Sequence, residues 1–293
     1  MKNKYLIAGA NGQLGSDILR QLIDRGFDAV GTDIDDTDIT DKAAVMNKFD
    51  EVRPNVVVHC AAWTAVDAAE DEENRNKVYA INVMGTENIA HACKKYNCKM
   101  TYISTDYIFS VHDDKPIDPD CKDFSPLNYY GETKYLGERA VENTLDKYFI
   151  VRIAWVFGKN GNNFIKTMLR LSENHSTLRV VNDQIGTPTY THDLARLLID
   201  ISESDKYGCY HATNEGDYIS WYDFANAIFA AAKKNITVVP VSTQEYGMSK
   251  AKRPLNSRLD KSKLVKNGFT PLPIWQDALN RYINEMKAQH GTD

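Results

Sequence analysis

The run "KYLIAGANGQLGSDIL", residues 4 to 19, constrains this chain more than any other stretch. Its first residues read as a buried strand, and Gln13 to Arg25 carries the apolar spacing of a helix. Between them Gly9, Gly12 and Gly15 make a G-x-x-G-x-x-G turn. Glycine is demanded where backbone turns tightly and where phosphate oxygens approach main-chain N–H groups at a helix N-terminus. Taken alone, a glycine-rich turn can simply close an ordinary strand–helix unit. Straight after a strand and opening a helix, it points to a bound dinucleotide, held by Gly9, Asn11, Gly12, Gln13, Leu14 and Gly15.

The rest of the first half repeats the strand–helix rhythm. Residues 28–33, 55–62, 99–105 and 148–158 read as strands. Helical patterns lie around Lys42 to Val52, Asn82 to Tyr96 and Tyr129 to Asn143. Such alternation predicts an α/β fold, a Rossmann-type doubly wound parallel sheet with helices on both faces. Residues 1–158 form the expected dinucleotide-binding domain. After Gly158 the rhythm loosens into helices at Asn163 to Glu173 and His192 to Ile201, with a strand at "LRVVNDQ" between them. "GCYHATN" (208–214) reads as a late strand of the same sheet, and Ser220 as the N-cap of a helix over 220–234. "ITVVPVS", an irregular stretch through Arg258 and a helix from Ile274 to Gln289 follow. Residues 159–293 are expected to form mainly a smaller C-terminal substrate-binding lobe, interleaved with the first domain and joined without a tether.

Composition narrows the function. The chain has 293 residues, 43% hydrophobic and 26% charged, with a net charge of −5 and no basic run longer than a pair. Neither nucleic acid nor an anionic membrane is an expected partner. Five cysteines lack metal-ligand spacing and read as reduced thiols. The first apolar run is too short for a signal peptide, and no apolar stretch of about 20 residues exists to span a membrane. A cytoplasmic location is expected.

Two further features bear on chemistry. Asp33, 18 residues after Gly15, ends the second strand, where an acid can hydrogen-bond the adenosine ribose 2′-hydroxyl. A carboxylate there repels a 2′-phosphate, so NADH is favoured and NADPH remains open. In "LNYYGETKYLGE", Tyr130 precedes Lys134 by four residues and shares its helix face, while Tyr129 is rotated about 100° away. An ammonium beside a phenol is expected to lower the tyrosine pKa toward neutrality and make Tyr130 a usable acid or base. By itself the pair is also a common packing or surface arrangement. Thr105, in "STD" at the end of a strand, adds a hydroxyl that can hold a substrate carbonyl.

The order of G-x-x-G-x-x-G, "HCAA", "STD" and Y-x-x-x-K resembles the extended short-chain dehydrogenase/reductase family across essentially the whole chain. The resemblance implies that Tyr130 transfers the proton and that Lys134 holds the nicotinamide ribose and tunes Tyr130. The turn Cys60-Ala61-Ala62 passes beneath the cofactor, and Asp38 and Ile39 join the cofactor-facing set. Within that family the 4,6-dehydratases carry Asp-Glu after the threonine; Tyr107 stands at the Glu position here, which disfavours elimination.

"AAWTAVDAAE", "STDYIF", "RIAWVFG", "DQIGTPTYTHDLA" and "KRPLNSRLD" resemble the subgroup of dTDP-4-dehydrorhamnose reductases. That resemblance implies reduction of a nucleotide-sugar C4 ketone, with Thr105 orienting the oxygen. It places substrate contacts at Thr64, Val66, Asp67, Trp155, Gln184, Gly186, Thr187, Pro188, Thr189, Arg253 and Asn256, with Arg253 facing the diphosphate. Trp63 replaces a common Tyr, and Ser110-Val111 replaces Asp-Gly, near the sugar. The subgroup is often associated with Mg²⁺, although the sequence contains no ligand cluster, and a homodimer is left open. Two other readings stay open: a reductase or epimerase of another nucleotide-diphosphate sugar, and a non-catalytic subunit like the regulatory subunit of methionine adenosyltransferase.

Overall fold

The computed structural model describes residues 2–111 and 113–290. The chain runs β1 (Lys4–Ala8), α1 (Gln13–Asp24), β2 (Asp28–Thr32), α2 (Lys42–Val52), β3 (Val56–His59), α3 (Glu72–Tyr79), α4 (Thr86–Tyr96), β4 (Lys99–Thr105), α5 (Tyr129–Thr144) and β5 (Tyr148–Ile153). It continues through β6 (Val156–Phe157), α6 (Phe164–Leu171), β7 (Thr177–Val181), β8 (Ile185–Gly186), β9 (Thr189–Tyr190), α7 (Thr191–Ser202) and β10 (Gly208–His211). Then come β11 (Ile219–Ser220), α8 (Trp221–Ala232), β12 (Thr237–Val241), α9 (Thr243–Tyr246), α10 (Ser262–Lys266) and α11 (Trp275–His290).

The central sheet has six strands in the order β10-β5-β4-β3-β1-β2, all parallel. Its strands are apolar on both faces because helices cover both. Tyr5, Ile7, Val58 and Val151 point to the side packed by α1 and α7. Leu6, Val57, Tyr102 and Ile150 point to the side packed by α2, α4 and α5. Each such fully buried aliphatic side chain contributes about 1.5–3 kcal/mol. This is the Rossmann-type doubly wound architecture. Strand order reverses between β1 and β3, which opens a crevice at the carboxyl ends of the strands. Elements of the later chain build a second core around Phe157, Ile165, Phe224, Ile228, Trp275 and Tyr282.

The single strand expected over 148–158 is broken. β5 ends at Ile153, Trp155 adopts φ +51°, and β6 leaves the sheet to pair in parallel with β9. A left-handed tryptophan costs roughly 1–3 kcal/mol and persists only where its surroundings enforce it. Here the Trp155 ring stacks on Trp221 with centroids 3.7 Å apart, and Thr189 Oγ1 donates to the Ala154 carbonyl at 2.5 Å. The helix expected from Asn82 begins earlier, at Glu72, and continues into α4 through a widened π turn at Ala80–Gly85. In that turn Asn82 accepts from Trp63 N–H and donates to Thr133 Oγ1, tying the loop after β3 to α5. Within the later irregular stretch the short helix α9 forms, capped by Ser242. Among the described residues no helix is long and apolar enough to cross a membrane.

One buried ion pair crosses the layers. Arg152 on β5 donates through Nε and Nη2 to both carboxylate oxygens of Glu138 on α5, at 2.9 and 2.7 Å, with both side chains out of solvent. Arg152 also holds the Pro119 carbonyl at 2.9 Å. Removing one partner leaves an uncompensated buried charge, whereas removing both does not. Glu138→Leu is therefore expected to cost about 3–5 kcal/mol in denaturant unfolding, and the Glu138→Leu/Arg152→Met pair to recover most of that loss.

Candidate active site

The crevice is a cleft of about 990 Å³ lined by the ends of β1 to β5 and the loops that follow them. At one end Gly9 adopts φ +83°, and a Cβ there would lie 2.5 Å from Ala61 N. A Cβ on Gly15 would lie 2.1 Å from the Gly9 carbonyl oxygen, so only glycine lets α1 start this close to β1. Gly12 meets little protein and borders the cleft. The α1 hydrogen-bond ladder starts with Ser16 N–H donating to Gly12, with no side-chain cap and no acid in the first turn. Its first N–H groups thus present partial positive charge to the cleft.

The positions expected to face a cofactor all line this cleft: Gly9 and Asn11 to Gly15, Asp33, Asp38, Ile39, Cys60, Ala61, Ala62, Tyr130 and Lys134. Asp33 Oδ2 accepts from Asn11 N–H at 2.8 Å and Oδ1 from Ile34 N–H at 2.9 Å, which aims the carboxylate at the glycine turn.

At the other end stands α5. Its N-cap, Asn128, accepts from Gly131 N–H at 2.7 Å, and Glu70 accepts from Tyr129 N–H at 2.7 Å. This fixes the helix start and carries Tyr130 and Lys134 into the cleft. Tyr129 instead faces away, with the Arg75 guanidinium over its ring, and does not line the cleft.

The expected lowering of the Tyr130 pKa by Lys134 does not appear in the geometry. Burial pushes the Tyr130 phenol up, the Thr105 hydroxyl pulls it partly back, and the Asp106 charge adds to the rise. The Lys134 ammonium donates to the Ile103 carbonyl at 2.8 Å and lies 4.1 Å from the Tyr102 ring centroid. Burial pushes Lys134 down to about 7, against the opposing pull of Glu138. Desolvation outweighs the pairwise term for both groups.

The expected substrate contacts divide into two sets. Thr64, Val66, Thr105 and Trp155 line the cleft. Gln184, Gly186, Thr187, Pro188, Thr189, Asp67, Arg253 and Asn256 are not among its walls. Arg253, expected to face a diphosphate, forks onto Asp67 at 3.1 and 2.6 Å. Gln184 donates to Thr243 Oγ1 at 3.0 Å. Asn256 donates to the Asp113 and Lys115 carbonyls at 2.7 and 2.9 Å. The 184–189 and 253–257 segments are bonded to each other, Ile185 N–H to Leu255 and Ser257 N–H to Ile185. They reach the cleft through intermediaries: Gly186 packs on the Trp155 indole, and the Ser257 hydroxyl lies beside Asp106.

Ser104, Asp106 and Lys77 also line the cleft and were not singled out from sequence, while Tyr107 and Trp63 were noted only as departures from family patterns. Asp106 was legible as an acid directly after a strand. Trp221, which holds Trp155, carries no sequence signal because it lies in a distant helix. Among the described residues no group of three or more His, Cys, Asp or Glu is placed to hold a metal ion.

The family described as the RmlD substrate binding domain matches residues 3–288. A dTDP-4-dehydrorhamnose reductase of Aggregatibacter actinomycetemcomitans is 42% identical over 94% of this chain and 97% of its own. The spore coat polysaccharide biosynthesis protein SpsK of Bacillus subtilis is 38% identical over 96% of this chain and 97% of its own. The crystal structure of a Bacillus anthracis dTDP-4-dehydrorhamnose reductase in complex with NADP superposes with a TM-score of 0.92 at 41% identity, covering 97% of this chain and 100% of that one. The chain belongs to the RmlD substrate-binding-domain family.

Proposed function

We propose that this chain is a nicotinamide-dependent reductase that converts the C4 ketone of dTDP-4-dehydro-L-rhamnose to the alcohol of dTDP-L-rhamnose. The observation that carries this reading is the meeting of Thr105, Tyr130 and Lys134 with the glycine turn in one cleft. Relatives of this chain that bear the reductase name match it over nearly their whole length, which supports the same assignment.

The residues present fit a dinucleotide. The uncapped N-terminus of α1 offers N–H groups to a pyrophosphate, and the close approach at Gly9 and Gly15 keeps side chains out of its way. The carboxylate of Asp33 is placed to accept from ribose hydroxyls, and Cys60 to Ala62 form the cleft floor beside it. When bound, the cofactor supplies the hydride.

The protein's own part begins with Tyr130. Because burial holds its pKa above the ordinary value, the phenol keeps its proton at neutral pH, as a donor to a nascent alkoxide must. Lys134, which burial pushes down to about 7, would hold the ribose of a bound cofactor, and its ammonium form would stabilise the phenolate left after transfer. Thr105 stands next to Tyr130 to orient the ketone oxygen. Trp155, held in its strained conformation against Trp221, forms the sugar-side wall. Arg253 is forked onto Asp67 and would have to exchange that carboxylate for a diphosphate to bind the substrate.

Tyr130→Phe is expected to lower kcat by about 10²–10⁴-fold while cofactor affinity, read by fluorescence titration, stays within a few-fold of the parent. Near-normal turnover contradicts the proton-donor role. Asp33 is expected to make kcat/KM higher with NADH than with NADPH, and Asp33→Ser to shift the ratio toward NADPH. A strong NADPH preference in the unaltered chain contradicts control of the 2′ position by this carboxylate.

A further inference from the structure

Thr105 has one proton and two lone pairs to share. Its Oγ1 accepts from Tyr107 N–H at 3.2 Å and donates to Asp106 Oδ1 at 3.1 Å. Only a lone pair then remains for the cleft. A lone pair can receive the Tyr130 hydroxyl, but it repels a ketone oxygen, which is itself an acceptor. With Asp106 ionised, Thr105 therefore opposes the ketone and draws the Tyr130 proton away from it. With a proton on Asp106 the inventory closes differently. Thr105 accepts from Tyr107 N–H and from Asp106, and its own proton points to the substrate.

The surroundings of Asp106 shift it toward the second arrangement, which predominates below about pH 6 in the open cleft. The side chain is 1% exposed and borders the cleft, and Oδ2 is buried with no hydrogen bond of ordinary geometry. Leaving a charged oxygen in that state is costly. The cations around it are engaged elsewhere. From α5, Lys134 points to the Ile103 carbonyl and the Tyr102 ring, and from the 251–257 segment Arg253 is forked onto Asp67. Tyr107 and Tyr130 are the other titratable groups that feel its charge, and both are buried phenols. Only the Ser257 and Thr105 hydroxyls and the residue's own N–H favour its charged form, and burial overrides them, raising the carboxyl to about 6. Substrate closing over the cleft removes more water and acts in the same direction.

We propose that Asp106 is a positioning residue that sets the direction of the Thr105 hydrogen bond: carrying a proton, it donates to Thr105 Oγ1 and so commits the Thr105 hydroxyl to the ketone oxygen of the substrate. The inference rests on the reductase reading of this cleft. Asp106 keeps its proton throughout, and the proton that reaches the alkoxide comes from Tyr130. The interaction strengthens as charge develops on the oxygen, so it acts on kcat more than on KM.

The test compares the full chain with Asp106→Asn and Asp106→Ala across the neutral pH range, using the C4 ketosugar nucleotide and the preferred nicotinamide cofactor. An amide can donate to Thr105 at every pH, whereas alanine cannot donate at all. The parent is expected to lose kcat/KM on the alkaline side through two ionisations, those of Asp106 and Lys134. Asp106→Asn is expected to keep kcat within about tenfold of the parent maximum and to lose only one ionisation. Asp106→Ala is expected to fall about 10²–10³-fold in kcat. Carboxyl-carbon NMR of the cofactor-free parent gives a second readout, with the Asp106 midpoint expected near 6. An ordinary midpoint of about 4, or two ionisations persisting in a folded Asp106→Asn, overturns the proposal. Absence of turnover by the parent with either cofactor overturns the reductase reading, and this inference with it. Turnover with an unchanged pH profile in Asp106→Asn overturns this inference alone.

Discussion

The site depends first on how closely α1 can begin beside β1. With no Cβ on Gly15, the first turn of the helix rests on the Gly9 carbonyl, and the left-handed Gly9 lets the chain pass over Ala61. That approach aims the helix N-terminus into the crevice between β1 and β3, where the strand order reverses. Four further cleft components sit at or just after strand ends. Asp33 follows β2, Cys60 follows β3, Thr105 closes β4 and Trp155 follows β5. The parallel sheet works as a ruler that sets these groups side by side, and α5 lays Tyr130 and Lys134 across its end.

The second half of the chain acts on the cleft mainly through contacts one layer behind it. Thr189 and Trp221 hold the break at Trp155, Gly186 packs against its indole, and Ser257 stands behind Asp106. Local strain at Trp155 is thereby supported by an aromatic stack instead of by the strand that carries it. The chemistry of the proton donors follows the same logic of burial. Tyr130 and Asp106 are raised by desolvation and Lys134 is lowered, so burial shifts all three toward their neutral forms before any ligand contributes.

Much of this was legible from residue pattern. The glycine spacing, Asp33 at a strand end and the four-residue step from Tyr130 to Lys134 are local signals that survive folding unchanged. Three things were not legible. The break at Trp155 arises from a partner in α8, and no local rule places a left-handed tryptophan in an apolar run. The pairing of Arg253 with Asp67 joins segments far apart in sequence. The sign of the Tyr130 shift required the depth of burial, because a neighbouring lysine at helical spacing suggests the opposite direction. Asp106 was given no role, although its place beside Thr105 already put a carboxyl at the reacting end of the sheet.

The most direct measurement follows the hydride. The unmodified chain is incubated with dTDP-4-dehydro-L-rhamnose and nicotinamide cofactor carrying deuterium at the transferable position, and the sugar product is read by NMR. Reduction as described here places deuterium at C4 of the sugar, with one cofactor oxidised per product formed. Product without deuterium at C4, or no net consumption of cofactor, contradicts it.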